Sequence, residues 1–234
     1  MKMKPILLFC ISLMLVSFYG TAQETNAPVA DSLKKTNKYG LRIGADLSKP
    51  VRTLLEDGYT GFEIVGDFRV SKRFYAAAEI GNEEKELIES NLSARSSGSY
   101  AKLGADFNAY NNWIGLNNAI FVGLRYGFST FKQELISYNI HQTNQTFPSE
   151  VVIDPQEFTG LTAHWAELVV GVKTEVLNNL YLSLNVQLKR MFSEDIPQNF
   201  DNLFIPGFNR TNDFSEYGVG YGYSLTYLIP IFKK

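Results

Sequence analysis

His141 and His164 are the only imidazoles in the chain, so they are the first residues to test for catalysis. A histidine joined to an acid and a serine can run acyl transfer, and His164 with Glu167 is the nearest approach to that equipment. Three positions apart on a strand, the two have opposite parity and face opposite sides, and no serine lies two residues from either histidine. We read both as ordinary loop and rim residues and expect no enzyme. Gly218, Gly220 and Gly222 mimic a phosphate cradle, but that chemistry needs a turn opening a helix, and these three share one strand face. Cys10 is the only cysteine and lies in an apolar leader, which leaves the rest without disulfides or thiol chemistry. No cofactor and no metal site are expected. The acidic stretch Glu83 to Glu89 reads as a solvated face, and the glycosylation-like triplets at Asn91, Asn144 and Asn209 mark polar loops.

The largest constellation is a set of charges, Arg42, Asp46, Glu63, Asp67, Arg69, Glu79, Lys102, Asp106, Arg125, Glu167, Lys173, Glu175, Lys189 and Glu216. They alternate in sign and fall on one face of successive strands. What they do depends on the elements that hold them.

Those elements are strands, because alternation with period two dominates from Lys38 onward. Tyr39 to Ser48 sets Tyr39, Leu41, Ile43, Ala45 and Leu47 against Arg42, Asp46 and glycines. The pattern returns at Tyr59 to Val70, Phe74 to Gly81, Tyr100 to Ala109, Leu116 to Phe131, His164 to Val176, Leu180 to Phe192 and Ser215 to Ile229. The expected fold is all-β, an eight-stranded antiparallel up-and-down barrel. Alternation alone also fits a soluble, lipocalin-like carrier whose apolar face looks inward.

Three features favour polar-in and apolar-out, and hence a transmembrane barrel with a filled polar lumen. Glycines crowd the charged faces, where a narrow interior needs small residues beside long ones. Connections alternate in length: Ser71 to Arg73, Tyr110 to Ile114 and Asn178-Asn179 are short. Lys49 to Gly58, Asn82 to Ser99, Lys132 to Ala163 and Ser193 to Phe214 are long and hold Pro50, Pro148, Pro155, Pro197 and Pro206. Aromatics gather near strand ends as two girdles, with Tyr39, Phe68, Phe74, Tyr110, Trp113 and Tyr227 at the short turns. Phe62, Tyr126, Phe131, Trp165 and Tyr217 make the other. An eight-stranded lumen is filled by its own side chains, so the charges should pair and plug it without conducting ions. A capping Ser48, Pro50 and a closing Gly58 predict a short helix in the first long loop.

The stretches YGLRIGADLSKPVRTLL, GFEIVGDFRV and YGVGYGYSLTYLIPIF resemble uncharacterised domain-of-unknown-function families of small outer-membrane barrels, over nearly all of the mature chain. The architecture is similar to OmpA/OmpX-type barrels. The end of the chain resembles their C-terminal assembly signal through Tyr223, Tyr227 and Phe232, but Pro230 interrupts the strand and Lys233-Lys234 follow the last aromatic. The resemblance implies no activity.

Lys2 and Lys4, the apolar run Ile6 to Phe18 and the small residues Gly20-Thr21-Ala22 read as a signal peptide cut between Ala22 and Gln23. That run is shorter than the ~20 residues of a spanning helix. The expected division is 1–22 signal peptide, 23–37 flexible leader and 38–234 barrel. The formal charge of −2 becomes −4 once a leader with two lysines is removed, and this gives no footprint for nucleic acid. Expected partners are outer-membrane lipid and lipopolysaccharide, the barrel-assembly machinery, and a surface protein or ligand at the loops. A structural or interaction role is the leading expectation, with a lipid-modifying enzyme and a periplasmic carrier behind it.

Overall fold

The structure is a computed structural model that describes residues 38–89, 91–110, 118–139, 151–153, 155–198, 200–211 and 215–233. The signal peptide 1–22 with its Ala22–Gln23 cleavage point, Cys10, the leader 23–37, Trp113, Leu116, His141, Asn144 and Pro148 lie outside the described residues.

Eight long strands form one ring: β1 (Lys38–Asp46), β2 (Tyr59–Arg69), β3 (Phe74–Ile88), β4 (Leu92–Asn108), β5 (Ala119–Asn139), β7 (Gln156–Leu177), β8 (Leu180–Glu194) and β11 (Tyr217–Lys233). Every neighbouring pair is antiparallel and follows chain order, and β11 closes the ring on β1 from Asp46–Ser224 to Lys38–Lys233. Three short pieces, β6 (Val151–Val152), β9 (Phe204–Ile205) and β10 (Asn209–Arg210), decorate one end. Among the described residues there is one helix, α1 (Ser48–Leu55), which follows β1 at that same end and packs on β2.

The helix was expected here, but its cap differs. Asp46 Oδ1 accepts the Ser48 N–H at 2.6 Å, so the carboxylate two residues upstream does the work assigned to the serine. Between β7 and β8 the Asn178-Asn179 turn is as tight as the sequence implies, with Asn179 at φ 66. Pro230 does not interrupt the last strand. It pairs with Gly40 beside a register shift between Tyr39 and Gly40, an irregularity where a residue without an N–H is tolerated.

Several strands outrun their expected ends. β3 and β4 stay paired up to Ile88 and Ser93, and β4 and β5 up to Leu92 and Tyr138, through residues read from sequence as loop. At 21 residues, β5 extends well beyond the ~9–11 residues a tilted strand uses to cross a bilayer. The ring is therefore tall on the side of β3, β4, β5 and β7 and low on the side of β8, β11, β1 and β2.

Polarity is inverted relative to a water-soluble fold. Large apolar residues look outward on all eight strands: Leu41, Ile64, Ile80, Leu103, Leu124, Val170, Leu184 and Tyr221 are each exposed. Charged residues are buried inside, among them Arg42, Glu63, Asp67, Lys102, Asp106, Arg125, Glu167, Lys173 and Lys189. Three girdle assignments are corrected by the same data. Trp165, Phe131 and Tyr39 are 0, 4 and 7 % exposed and point into the ring, because their strand positions share parity with, or are shifted by a bulge toward, the inner face.

Candidate functional site

The interior is built in tiers from the short-turn end upward. At the bottom, Arg69 donates to the carbonyls of Ser71 and Lys72 and lies over the rings of Tyr39 and Tyr75. Glu175 accepts the Asn179 N–H at 2.9 Å. Above them Asp67 takes Arg42 at 2.6 Å and Lys173 at 2.5 Å, and the Arg42 guanidinium is sandwiched between Tyr75 and Tyr181.

Arg125 then bridges Asp106 at 2.7 Å and Glu79 at 3.2 Å. Lys102 gathers Glu79 at 2.8 Å and Glu63 at 3.1 Å, with Glu167 at 3.9 Å. Tyr100 Oη donates to Glu63 at 2.6 Å. Charges this deeply buried are tolerated only when each meets an opposite partner or a donor, and one carboxylate between two cations is the motif that repeats. A polar cavity of about 40 Å³ remains among Asp46, Asp67, Glu79, Arg125, Lys173 and Thr226. Such a volume is enough for ordered water and too small for a ligand.

Glu216 does not join the network. Its side chain is 66 % exposed and meets Arg190 at 3.5 Å outside the ring, because it precedes β11 and the alternation has not yet begun there. Two members were missed. Glu83, read as part of a solvated stretch, is fully buried and accepts Lys49 Nζ at 2.5 Å, Tyr59 Oη at 2.6 Å and the Gly207 N–H at 2.7 Å. Its parity with Glu79 and Gly81 was the available signal. Lys49 sits on α1, where strand parity says nothing.

The second part of the site is an apolar plug. The chain between β8 and β11 enters the ring mouth, and Phe204, Ile205 and Phe208 are nearly inaccessible. Ile205 and Phe208 pack on Tyr100, Phe131, Leu161, Ala163, Trp165 and Met191. Polar clamps hold the plug: Ser96 Oγ donates to the Phe204 carbonyl at 2.7 Å, and Lys189 Nζ donates to the Gly207 carbonyl at 2.6 Å. Gln133 spans both ends of Asp201–Leu203 through its amide. Gly207 adopts φ +83, and a Cβ there would stand 2.6 Å from the Tyr100 ring, so geometry and space both demand glycine. Gly127 serves the same purpose under Trp165, whose indole would be 2.2 Å from an added Cβ.

Outside the plug, α1 is held by Arg52, which pairs with Glu56, stacks 3.9 Å above the Tyr59 ring and reaches Asn209 Oδ1 at 3.4 Å. The hydrogen bond from Arg52 holds the Glu56 carboxyl down at about 2.

His164 faces outward. Its Nδ1 lies 2.7 Å from Tyr126 Oη, and its ring packs 4.9 Å from Phe128, whereas Glu167 is buried inside the ring. The two are not brought together. Among the described residues no three His, Cys, Asp or Glu side chains are placed to hold a metal ion.

No curated protein matches this sequence. The profile of a family described as Domain of unknown function (DUF6048) matches residues 3–234. An all-β ring of eight antiparallel strands with a charged, plugged interior is thus the fold of a chain that belongs to the DUF6048 family.

Proposed function

We propose that this chain is a small bacterial outer-membrane β-barrel, delivered by a cleaved signal peptide, whose role is structural or interactive through the end that carries the long connections. The observation that carries the reading is the inverted polarity of the ring. Soluble monomers rarely expose contiguous apolar patches beyond roughly 300–600 Å², while here exposed aliphatic and aromatic residues run along all eight strands. A belt of that kind is stable against lipid, where a closed ladder satisfies every backbone group.

The belt also has edges. Beyond it the outer face turns charged, with the exposed pairs Glu84–Arg95 and Lys132–Glu157 on the tall side. The short turns lie at the opposite end, as periplasmic turns do. A carrier for an apolar ligand would need an apolar cavity, whereas the described interior of the ring is filled by ion pairs and the plug. His164 bonds Tyr126; Ser193 lies opposite it in the β7–β8 register and Asp195 is near enough to act on it electrostatically, but the Asp195 carboxylate is committed to Thr162, so the geometry does not favour an acid–histidine–serine relay.

Fractionation tests this. Retention in outer membranes after carbonate washing, with a folded form that migrates faster on gels until heated, is the expected result. Release with the periplasmic contents would overturn the proposal.

A further inference from the structure

Over its upper part the wall between β2 and β11 holds no strand among the described residues. The pairing of β1 ends at Ala45–Ile64 on one side and at Asp46–Ser224 on the other, and the Leu47 N–H adds one last bond to the Tyr223 carbonyl at 2.8 Å. The chain then turns into α1, which packs on β2 and touches β11. Thr53 Oγ1 accepts the Gly61 N–H at 3.0 Å, so a helix side chain takes an amide that a longer β1 would have paired. In lipid each such group must find its partner inside the protein. Over this stretch α1 takes the place of a strand.

The faces of α1 are inverted in the same sense as the ring. Ser48, Lys49, Arg52, Thr53 and Glu56 share the side turned to the protein, where Lys49 meets Glu83, Arg52 lies over the Tyr59 ring and Glu56 meets Lys85 at 2.7 Å. Val51, Leu54 and Leu55, spaced i, i+3 and i+4, share the other side, and Leu54 and Leu55 are 84 and 81 % exposed. A surface helix of a water-soluble protein does the reverse and buries its apolar stripe.

Position identifies what covers this stripe. On either side of α1 stand exposed members of the apolar belt, Phe62 on β2 and Val219 and Tyr221 on β11, and the two β11 residues share a groove with Arg52 and Glu56 of the helix. Three side chains offer far less than the ~800 Å² that each partner brings to a stable protein interface. A bilayer meets the stripe and the belt together.

We infer that the outward face of α1 is seated in the lipid of the outer leaflet and carries the belt across the stretch where β1 falls short. The inference rests on the proposed barrel and adds an interfacial helix to it.

Depth-dependent quenching tests it in the full chain. Cys10→Ser removes the only cysteine, and Leu54→Cys, Leu184→Cys or Lys132→Cys then carries one nitrobenzoxadiazole dye at an exposed position. Each chain is folded into dilauroylphosphatidylcholine vesicles and challenged with nitroxide-labelled lipid or with aqueous iodide. Leu184→Cys is the lipid reference and Lys132→Cys the water reference. The dye at Leu54→Cys should lose emission to nitroxide lipid, more to labels near the glycerol than to labels near the chain end, and resist iodide, as a helix roughly 5–10 Å into the headgroup boundary does. Loss to iodide alone, with Leu184→Cys still in lipid, overturns the inference and leaves the barrel standing. Resistance to both quenchers overturns it in favour of a second copy or another protein on that face. Iodide reaching Leu184→Cys as well sinks the barrel reading and the inference with it, so the two failures are distinguishable.

Discussion

Trp165 Nε1 donates a hydrogen bond to Glu167 Oε1 at 2.8 Å, joining two residues of the same strand across the boundary between plug and charge network. Glu167 is also approached by Lys189 at 3.5 Å, but the indole is its nearest partner. Trp165→Phe should keep most of the apolar packing and leave that oxygen short of a donor, a loss of about 1–3 kcal/mol. Trp165→Ala should lose about 3–5 kcal/mol through the cavity it opens. Denaturant midpoints of the two variants in the same detergent check the order.

Asp67 neutralises both Arg42 and Lys173. Asp67→Asn should destabilise by about 3–5 kcal/mol, since it leaves two buried cations without their counter-charge. Adding Lys173→Met in the same chain should recover part of the loss, and a double-mutant cycle on unfolding midpoints measures it. A single variant as stable as the parent would contradict the network.

Leu184 is 55 % exposed on the outer face of β8. In vesicles, Leu184→Arg should cost about 2–4 kcal/mol if that surface meets the centre of a bilayer. On a water-facing surface the same change would stay within about 0.5 kcal/mol. Folding titrations in lipid vesicles discriminate the two.

Gly207→Val should dislodge the plug, because the left-handed backbone and the Tyr100 ring both reject a branched side chain. The eight-stranded ring should survive. Protease cleavage between residues 195 and 211 should quicken by about tenfold or more, with the heat-dependent gel shift unchanged.

Glu56 is held down at about 2 by its hydrogen bond with Arg52. A depressed carboxyl contributes stability that is present above its unfolded pKa and lost as pH falls through the folded one. Amide exchange in α1 should therefore be insensitive to pH from neutrality to about 4.5 and accelerate below it, toward pH 2. In Glu56→Gln that acid dependence should vanish, with a stability change at neutral pH below about 1 kcal/mol because the pair is partly exposed.

The eight strands were legible because an apolar outer face and a polar interior impose alternation on every one of them. The signal fades where the outer face becomes polar too. Glu83 to Ile88 and Lys132 to Asn139 carry polar groups on both faces, so the period vanishes although the ladder continues. Trp165 and Phe131 were misplaced for a related reason: an aromatic near a strand end suits a girdle and a plugged mouth equally. The plug itself was illegible. Phe204 to Phe208 sits among Pro, Gly and Asn, and nothing local says that such a stretch folds back into the ring. For the interior, parity located thirteen of the fourteen expected charges and failed at Glu216, which lies just before its strand begins.

The seam between β1 and β11 joins the two ends of the described chain. No polypeptide that lacks Tyr217–Lys233 can complete the cylinder, because β1 would have no stave to meet. Until that last stave docks, each apolar strand face is an adhesive surface in search of a partner, and the edge of β1 stays unzipped.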